Sequence, residues 1–126
     1  KDAYSLIGIC MEVHRELGQG FSEIVYKDAL EYELKQRGIH FEREKLFKVL
    51  YKDVILTHHY VADFVVRDKI ILELKAVTEL RDEHLAQTIN YLAVSGLDLG
   101  LLINFRAPSL EYRRVVYSKY RKPMCL

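Results

Sequence analysis

The stretch that decides the fold is Lys69-Ile-Ile-Leu-Glu-Leu-Lys75, in which an apolar run ends in an acid and a base. Its consecutive apolar residues are typical of a central strand that helices cover on at least one side. Glu73 and Lys75 lie two positions apart, so they project from the same face of this strand. Buried charges are costly unless they are paired or bound to a cation. The stretch therefore predicts a central strand that carries a polar site.

A second carboxylate is brought to this site by the register of a hairpin. If a tight turn through Arg67-Asp-Lys69 joins this strand to the preceding run, Asp63 lies directly opposite Glu73. Opposed residues lie on one face of a sheet with Cβ atoms about 4.5–5.5 Å apart. Two carboxylates that close repel strongly unless a proton or a divalent cation lies between them.

The residue types indicate which cation fits. Mg²⁺ and Mn²⁺ take oxygen ligands such as carboxylates, whereas zinc prefers His or Cys. A neighbouring lysine can hold the attacking water or offset charge that builds on a phosphate. Asp63, Glu73 and Lys75 thus favour a Mg²⁺ or Mn²⁺ site that acts on phosphates. The spacing alone leaves open a cross-strand salt bridge between Lys75 and either acid.

The periodicity of apolar residues divides the rest of the chain into helices and strands. Helical spacing ends at glycine-containing turns, and the β-branched and aromatic runs are extended. Helices are predicted at residues 4–17, 22–37 and 82–95, and strands near 41–51, 56–66, 69–76, within 97–105 and near 112–117. The order is ααβββαββ, with the last helix crossing between strands, which predicts an α/β fold.

Length and charge bound the possibilities further. The 126 residues are 50% hydrophobic, which predicts one globular domain over residues 1–126. A net charge of +1 does not indicate nucleic-acid binding, so any basic surface must be local. The most basic stretch runs from Arg106 to Leu126, and its ordinary interpretation is a solvated strand and tail. Its charged residues are Arg106, Glu111, Arg113, Arg114, Lys119, Arg121 and Lys122.

The cysteines and the beginning of the sequence indicate a location. Cys10 and Cys125 are isolated thiols without CxxC spacing, which favours reduced, intracellular cysteines over a zinc site. No window approaches a membrane span, and the first residues do not resemble a signal peptide. We therefore expect a cytoplasmic protein with no membrane partner.

The ordered motifs resemble a known superfamily. Asp63, then Glu73-Leu-Lys75, then a helix carrying Gln87 is similar to the PD-(D/E)XK nuclease superfamily, whose restriction-endonuclease-like core has a mixed central sheet flanked by helices. Gly20-Phe-Ser-Glu23-Ile-Val-Tyr26 matches the GxxExxY signature of a small prokaryotic family within it. Ala62 replaces the nominal proline, which is not chemically required. Further segments that resemble this family are Glu12–Gly18, Tyr60–Asp63, Gln87–Leu92 and Gly100–Phe105, so the similarity covers about residues 4–118.

The resemblance implies a role for five residues. Asp63 and Glu73 would ligate the metal, and Lys75 would be the catalytic lysine. Glu23 would be an additional acid that reaches the metal through water, and Gln87 would orient Lys75, water or phosphate. The implied activity is hydrolysis of DNA, with RNA as an alternative, by water attack on phosphorus that leaves a 5′-phosphate.

Other interpretations stay open at this point. The chain could be a nuclease-fold binding or regulatory module without turnover, or a structural protein in which the site is only a salt bridge. Core packing is the favoured interpretation of Tyr26 and Tyr91, and a structural or surface role that of His14 and His84. A homodimer is plausible through a Tyr-rich surface such as Tyr112–Tyr120. The sequence separates neither DNA from RNA nor endonuclease from exonuclease.

Overall fold

The structure, a computed structural model, describes residues 2–118. Its elements are α1 (Asp2–Leu17), α2 (Glu23–Gln36), β1 (Phe41–Tyr51), β2 (Val54–Val66), β3 (Ile70–Lys75), α3 (Asp82–Ser95), β4 (Leu99–Asn104) and β5 (Glu111–Val116). The predicted order ααβββαββ is confirmed, with element ends within two residues of the prediction. No helix in the described range is long and apolar enough to cross a membrane. Predictions made for Lys119, Tyr120, Arg121, Lys122 and Cys125 lie outside the described residues.

The five strands form one mixed sheet in the order β1-β2-β3-β4-β5. The neighbouring pairs are antiparallel except β3 and β4, which run parallel. A parallel pair needs a crossover connection, and α3 supplies it. This arrangement confirms the α/β fold with a mixed central sheet flanked by helices. It also places the carboxyl ends of β3 and β4 at the same end of the sheet.

Helices cover the sheet on both faces. Leu72 of β3 packs in a core with α1 and α2, whereas its neighbour Ile71 packs on the opposite face with Leu92 of α3. The apolar run of β3 is buried on both sides for this reason. Cys10 of α1 is a free thiol in the first core, and burial raises its pKa to about 12, so it stays protonated and unreactive.

The hairpin between β2 and β3 has the predicted register. Phe64 pairs with Leu72, and Val66 pairs with Ile70. Arg67 and Asp68 adopt left-handed backbone angles, with φ of 56° and 57°, and the N–H of Lys69 donates to the carbonyl of Val66 at 3.0 Å. Left-handed residues give a turn whose twist matches that of the flanking strands. The turn therefore sets which residues of β2 and β3 meet at the far end of the hairpin.

Candidate functional site

Asp63 and Glu73 meet where β2 and β3 separate. Their backbone pairing ends at Phe64 and Leu72, one position before the two acids. In its place, the N–H of Asp63 donates to Glu73 Oε2 at 2.8 Å, and the N–H of Leu74 donates to Asp63 Oδ2 at 2.8 Å. Both acids are buried, with 8% and 3% of their surface exposed. The predicted juxtaposition of Asp63 and Glu73 is confirmed, and each carboxylate is fixed by the backbone of the opposite strand.

The two carboxyl groups influence each other's charge. Burial and then the charge of Asp63 raise the pKa of Glu73 to about 8, although Lys75, Lys27 and the N–H of Asp63 act in the opposite direction. Without a metal, this pair therefore holds a proton at neutral pH. A divalent cation bound at these two acids would neutralise the charge that the proton otherwise removes.

A lysine that the sequence reasoning missed contacts this pair. Lys27 of α2 places Nζ 2.7 Å from Asp63 Oδ1 and 3.2 Å from Glu44 Oε2 of β1. Only 12% of the side chain of Lys27, and 12% of that of Asp63, is exposed. Partial burial lowers the pKa of Lys27, but the hydrogen bond and charge of Asp63 outweigh it, so the pKa lies above its ordinary value. An ammonium ion therefore neutralises Asp63.

Of the two residues that the sequence reasoning missed, Lys27 and Glu44, only Lys27 has a signal in the sequence. Lys27 lies four positions after Glu23 on the same helix, a spacing that puts both side chains on one helix face. Glu44 gives no such local signal. It lies between the paired positions Arg43 and Lys45 of β1, and its φ of 56° interrupts the ladder with β2.

Glu23 stands in the first turn of α2, where the charge of Asp63 acts on it. Burial and then the charge of Asp63 raise the pKa of Glu23, while Lys75 and Lys27 lower it. Within residues 2–118, no three His, Cys, Asp or Glu side chains are arranged to hold an ion. Asp63, Glu73 and Glu23, the residues predicted to bind metal with Glu23 acting through water, do not form such a cluster in this range. The role of Glu23 through water stays a prediction.

Lys75 and Gln87 form the other side of the site. Lys75 Nζ donates to Gln87 Oε1 at 3.3 Å, joining the end of β3 to α3. The alternative of a salt bridge from Lys75 to Asp63 or Glu73 is not found in the described part of the chain. Lys75 is thus held by a neutral partner, as the resemblance implies, and its ammonium stays available to a further anion.

Tyr91 lies one turn beyond Gln87 and borders the acids. It is buried against Tyr60, with ring centroids 5.2 Å apart in an edge-to-face arrangement. Burial and then the charges of Glu73 and Asp63 raise the pKa of Tyr91 to about 12. The favoured interpretation of Tyr91 as a packing residue is confirmed. Its hydroxyl stays protonated and can donate a hydrogen bond near the site.

The start of α2 is fixed by Tyr26. Its hydroxyl donates to the carbonyl of Gly18 at 2.6 Å and accepts from the N–H of Phe21 at 3.2 Å. The ring is fully buried and stacks on Phe105, with centroids 4.5 Å apart. The predicted core role of Tyr26 is confirmed. These contacts hold the turn before α2 and so determine where Glu23 and the following turn of the helix face the sheet.

The two weighed histidines have structural contacts instead. The N–H of Arg81 donates to His84 Nδ1 at 2.9 Å, at the start of α3. His14 Nε2 lies 3.0 Å from the carbonyl of Ala107, in the loop between β4 and β5. The first contact caps a helix and the second joins α1 to that loop, so the favoured structural interpretation of both histidines is confirmed.

A mixed sheet with buried acids on one strand pair and a lysine at the same end defines a class of nuclease-like proteins. A model of the PD-(D/E)XK nuclease superfamily matches residues 1–115. The chain belongs to that superfamily. No curated protein matches it.

Two solved structures share the fold. The crystal structure of SSO0001 superimposes with a TM-score of 0.60 at 19% identity, covering 76% of this chain and 50% of the other. An alkaline exonuclease from Laribacter hongkongensis superimposes with a TM-score of 0.51 at 14% identity, covering 71% and 53%. The matched regions thus span about half of each relative. At these identities the likeness concerns the fold alone.

Proposed function

We propose that the protein is a divalent-metal-dependent nuclease that hydrolyses phosphodiester bonds of DNA with Asp63, Glu73 and Lys75 at its centre. The observation that carries the proposal is the interlocked, buried pair of Asp63 and Glu73 beside a lysine held by a neutral amide. Membership of a nuclease superfamily supports it. The signature Gly20–Tyr26 supports a narrower assignment to the GxxExxY family.

The donors at this centre fit a hard cation. PD-(D/E)XK nucleases typically use divalent metals, and Asp63 and Glu73 supply the oxygen ligands that Mg²⁺ or Mn²⁺ prefers. The ammonium of Lys27 already contacts Asp63 Oδ1, which shows that this oxygen accepts a positively charged partner. Glu23 would act through water. A divalent ion bound here would polarise a phosphoryl oxygen and lower the pKa of bound water.

Lys75 and Gln87 would orient the attacking water and stabilise charge on the phosphate. Lys75, held by Gln87, can hold the attacking water or stabilise charge on the phosphate in the transition state. Because Gln87 accepts through Oε1, its amide nitrogen remains a donor for water or a phosphate oxygen. Water attack on phosphorus with departure of the 3′ oxygen would leave a 5′-phosphate product.

Positive side chains lie at the same end of the sheet. Asn104 of β4 pairs with Lys75, and Arg106 follows two residues later on the exposed surface. Arg113 on β5 is exposed as well and pairs with Leu102, the β4 residue that pairs with Glu73. Because the net charge of the chain is only +1, DNA binding needs a local basic surface, and these side chains supply it. A cytoplasmic location and a homodimer through the exposed β5 surface around Tyr112 complete the proposal.

The test is cleavage of labelled DNA and RNA with Mg²⁺ or Mn²⁺. Asp63→Asn and Lys75→Ala should each reduce cleavage by about 10²–10³-fold, the range for loss of one transition-state contact. Asp98→Asn and Lys69→Ala, exposed residues near the opposite end of the sheet, serve as matched controls. Circular dichroism checks that every variant is folded. Equal cleavage by the wild type and Asp63→Asn would assign the activity to a contaminant.

A second candidate is a binding or regulatory module without turnover. The specific observation that favours it is the occupation of Asp63 by Lys27, because a lysine can satisfy the acid permanently. Nucleic-acid affinity or a stable protein partner, with no cleavage across substrates and metals, would select this candidate.

A further inference from the structure

We propose that Lys27 is a built-in cation that occupies the metal position on Asp63 in the metal-free protein and must leave Asp63 before a divalent ion binds. This inference rests on the proposed metal site at Asp63 and Glu73. It adds a residue of α2 to that site, and it assigns to this residue control over metal affinity rather than a step of the chemistry.

The two oxygens of Asp63 have different partners. Oδ2 accepts from the N–H of Leu74 at 2.8 Å, so it is committed to the backbone. Oδ1 is the oxygen that remains for a cation, and Lys27 Nζ lies 2.7 Å from it. Mg²⁺ binds oxygen at about 2.0–2.1 Å. An ammonium ion and a divalent ion cannot both approach one oxygen so closely without strong repulsion, so one must displace the other.

A second acid, Glu44, can hold the ammonium of Lys27 after it leaves Asp63. Its ammonium also contacts Glu44 Oε2 at 3.2 Å, and 54% of the Glu44 side chain is exposed. A lysine ammonium lies at the end of a flexible stem, so it can give up one partner and keep the other. Glu44 would therefore remain paired with Lys27 when Asp63 binds the metal.

The ion pair also has a use before metal binding. A buried charge on Asp63 is costly without a partner, and the ammonium of Lys27 supplies that partner while the strands remain parted. Lys27 thus keeps the carboxylates in position and at the same time weakens the binding of any competing cation. The metal affinity of the wild type is the affinity left after this competition.

The experiment measures Mn²⁺ affinity of the full chain by titration calorimetry, with no substrate present. Lys27→Met keeps the length of the side chain and removes its charge. Lys75→Met removes a lysine near the acids that does not contact Asp63, and Lys35→Met removes an exposed lysine from the same helix. Glu73→Gln tests whether the metal binds at this site. Thermal unfolding of every variant is recorded in chelator and in Mn²⁺.

Lys27→Met should bind Mn²⁺ at least about tenfold more tightly than the wild type, because a partly buried ion pair no longer competes. Lys35→Met should stay within about threefold of it. Lys75→Met should tighten binding less than Lys27→Met does, because Lys75 forms its contact with Gln87 and Lys27 forms its ion pair with Asp63. In chelator, Lys27→Met should melt below the wild type, because Asp63 has lost its cation. It should then gain more from Mn²⁺ than the wild type does.

Other outcomes overturn the inference in distinguishable ways. Equal tightening by Lys27→Met and Lys75→Met would make Lys27 one nearby charge among others, and would leave the metal site standing. Unchanged affinity in Lys27→Met, with binding abolished in Glu73→Gln, would refute the competition alone. Absence of binding in the wild type and Lys27→Met, or binding unaffected by Glu73→Gln, would refute both the inference and the proposed metal site.

Discussion

The N–H of Asp63 donates to the carboxylate of Glu73 at 2.8 Å, in place of the next backbone bond between their strands. Leu74, the residue after Glu73, returns a bond to Asp63 Oδ2. The acids therefore support the ends of β2 and β3 as well as forming a site. Truncation to alanine would leave buried N–H groups without acceptors. Amide variants, which keep an acceptor oxygen, separate chemistry from folding.

The first prediction concerns pH and stability. Burial and the charge of Asp63 raise the pKa of Glu73 to about 8, whereas an unfolded chain has an ordinary value of about 4.3. The folded protein therefore binds the proton more tightly. Stability from this group is fully present below the unfolded value and is lost as pH rises through the folded value.

Glu73→Gln should remove this dependence. In chelator at pH 9, its free energy of unfolding should exceed that of the wild type by on the order of 5 kcal/mol, and the two should converge near pH 4. Denaturant unfolding at several pH values measures the difference, with the exposed Glu79→Gln as control. A difference that does not change with pH would contradict the shifted pKa.

The second prediction concerns Gln87 as the positioning residue of Lys75. Gln87→Ala should lower kcat by about tenfold and change KM little, because the ammonium is held less firmly in the transition state. Gln87→Glu retains an acceptor for Lys75 and should recover part of the loss. Asn90→Ala, at an exposed position of the same helix, should behave as the wild type. A loss confined to KM would indicate that Gln87 binds substrate instead.

The third prediction concerns the turn before α2. Tyr26→Phe keeps the stacking on Phe105 but removes the hydroxyl that joins Gly18 and Phe21. It should lower the free energy of unfolding by about 1–3 kcal/mol, because the partly buried N–H of Phe21 loses its acceptor and the carbonyl of Gly18 loses its donor. Tyr32→Phe, at an exposed position of α2, should change stability little. Equal effects of the two substitutions in urea unfolding would show that the hydrogen bonds of the Tyr26 hydroxyl do not contribute to stability.

The fourth prediction concerns the contact between β4 and α3. A Cβ at Gly100 would lie 2.9 Å from Cγ2 of the buried Thr88, so Gly100→Ala should cost about 1–3 kcal/mol. It should also displace the helix that carries Gln87 and reduce cleavage. Gly8→Ala meets open space in α1 and should stabilise by about 0.5–1 kcal/mol through helix propensity. Calorimetric melting of both variants measures these effects. A Gly100→Ala variant more stable than the wild type would contradict the close contact between Gly100 and Thr88.

The sequence predicts the site to the extent that the site is local. Glu73 and Lys75 share a face by strand geometry, and the three-residue turn at 67–69 brings Asp63 opposite Glu73. Those relationships depend on short separations and on periodicity, which a sequence displays. The helices and strands were predictable for the same reason, since their apolar faces repeat regularly.

Lys27 and Glu44 depend on packing across the fold. Lys27 reaches Asp63 only because α2 lies against the sheet, held partly by Arg43, which pairs with Asp28 at 2.8 Å and with Glu31 at 2.7 Å. No periodic pattern encodes the angle between a helix and a sheet. A left-handed angle at a glutamate within a strand likewise has no sequence signal, because Glu is not a residue that favours it.

A crystal of the wild type soaked in Mn²⁺, with anomalous data, tests the central claim most directly. The account predicts one Mn²⁺ peak contacted by both Asp63 and Glu73, with Lys27 withdrawn towards Glu44, and no peak there in Glu73→Gln. A peak that contacts neither acid, or no peak while Lys27 remains on Asp63 at saturating Mn²⁺, would contradict the assignment of Asp63 and Glu73 as the metal site of a nuclease.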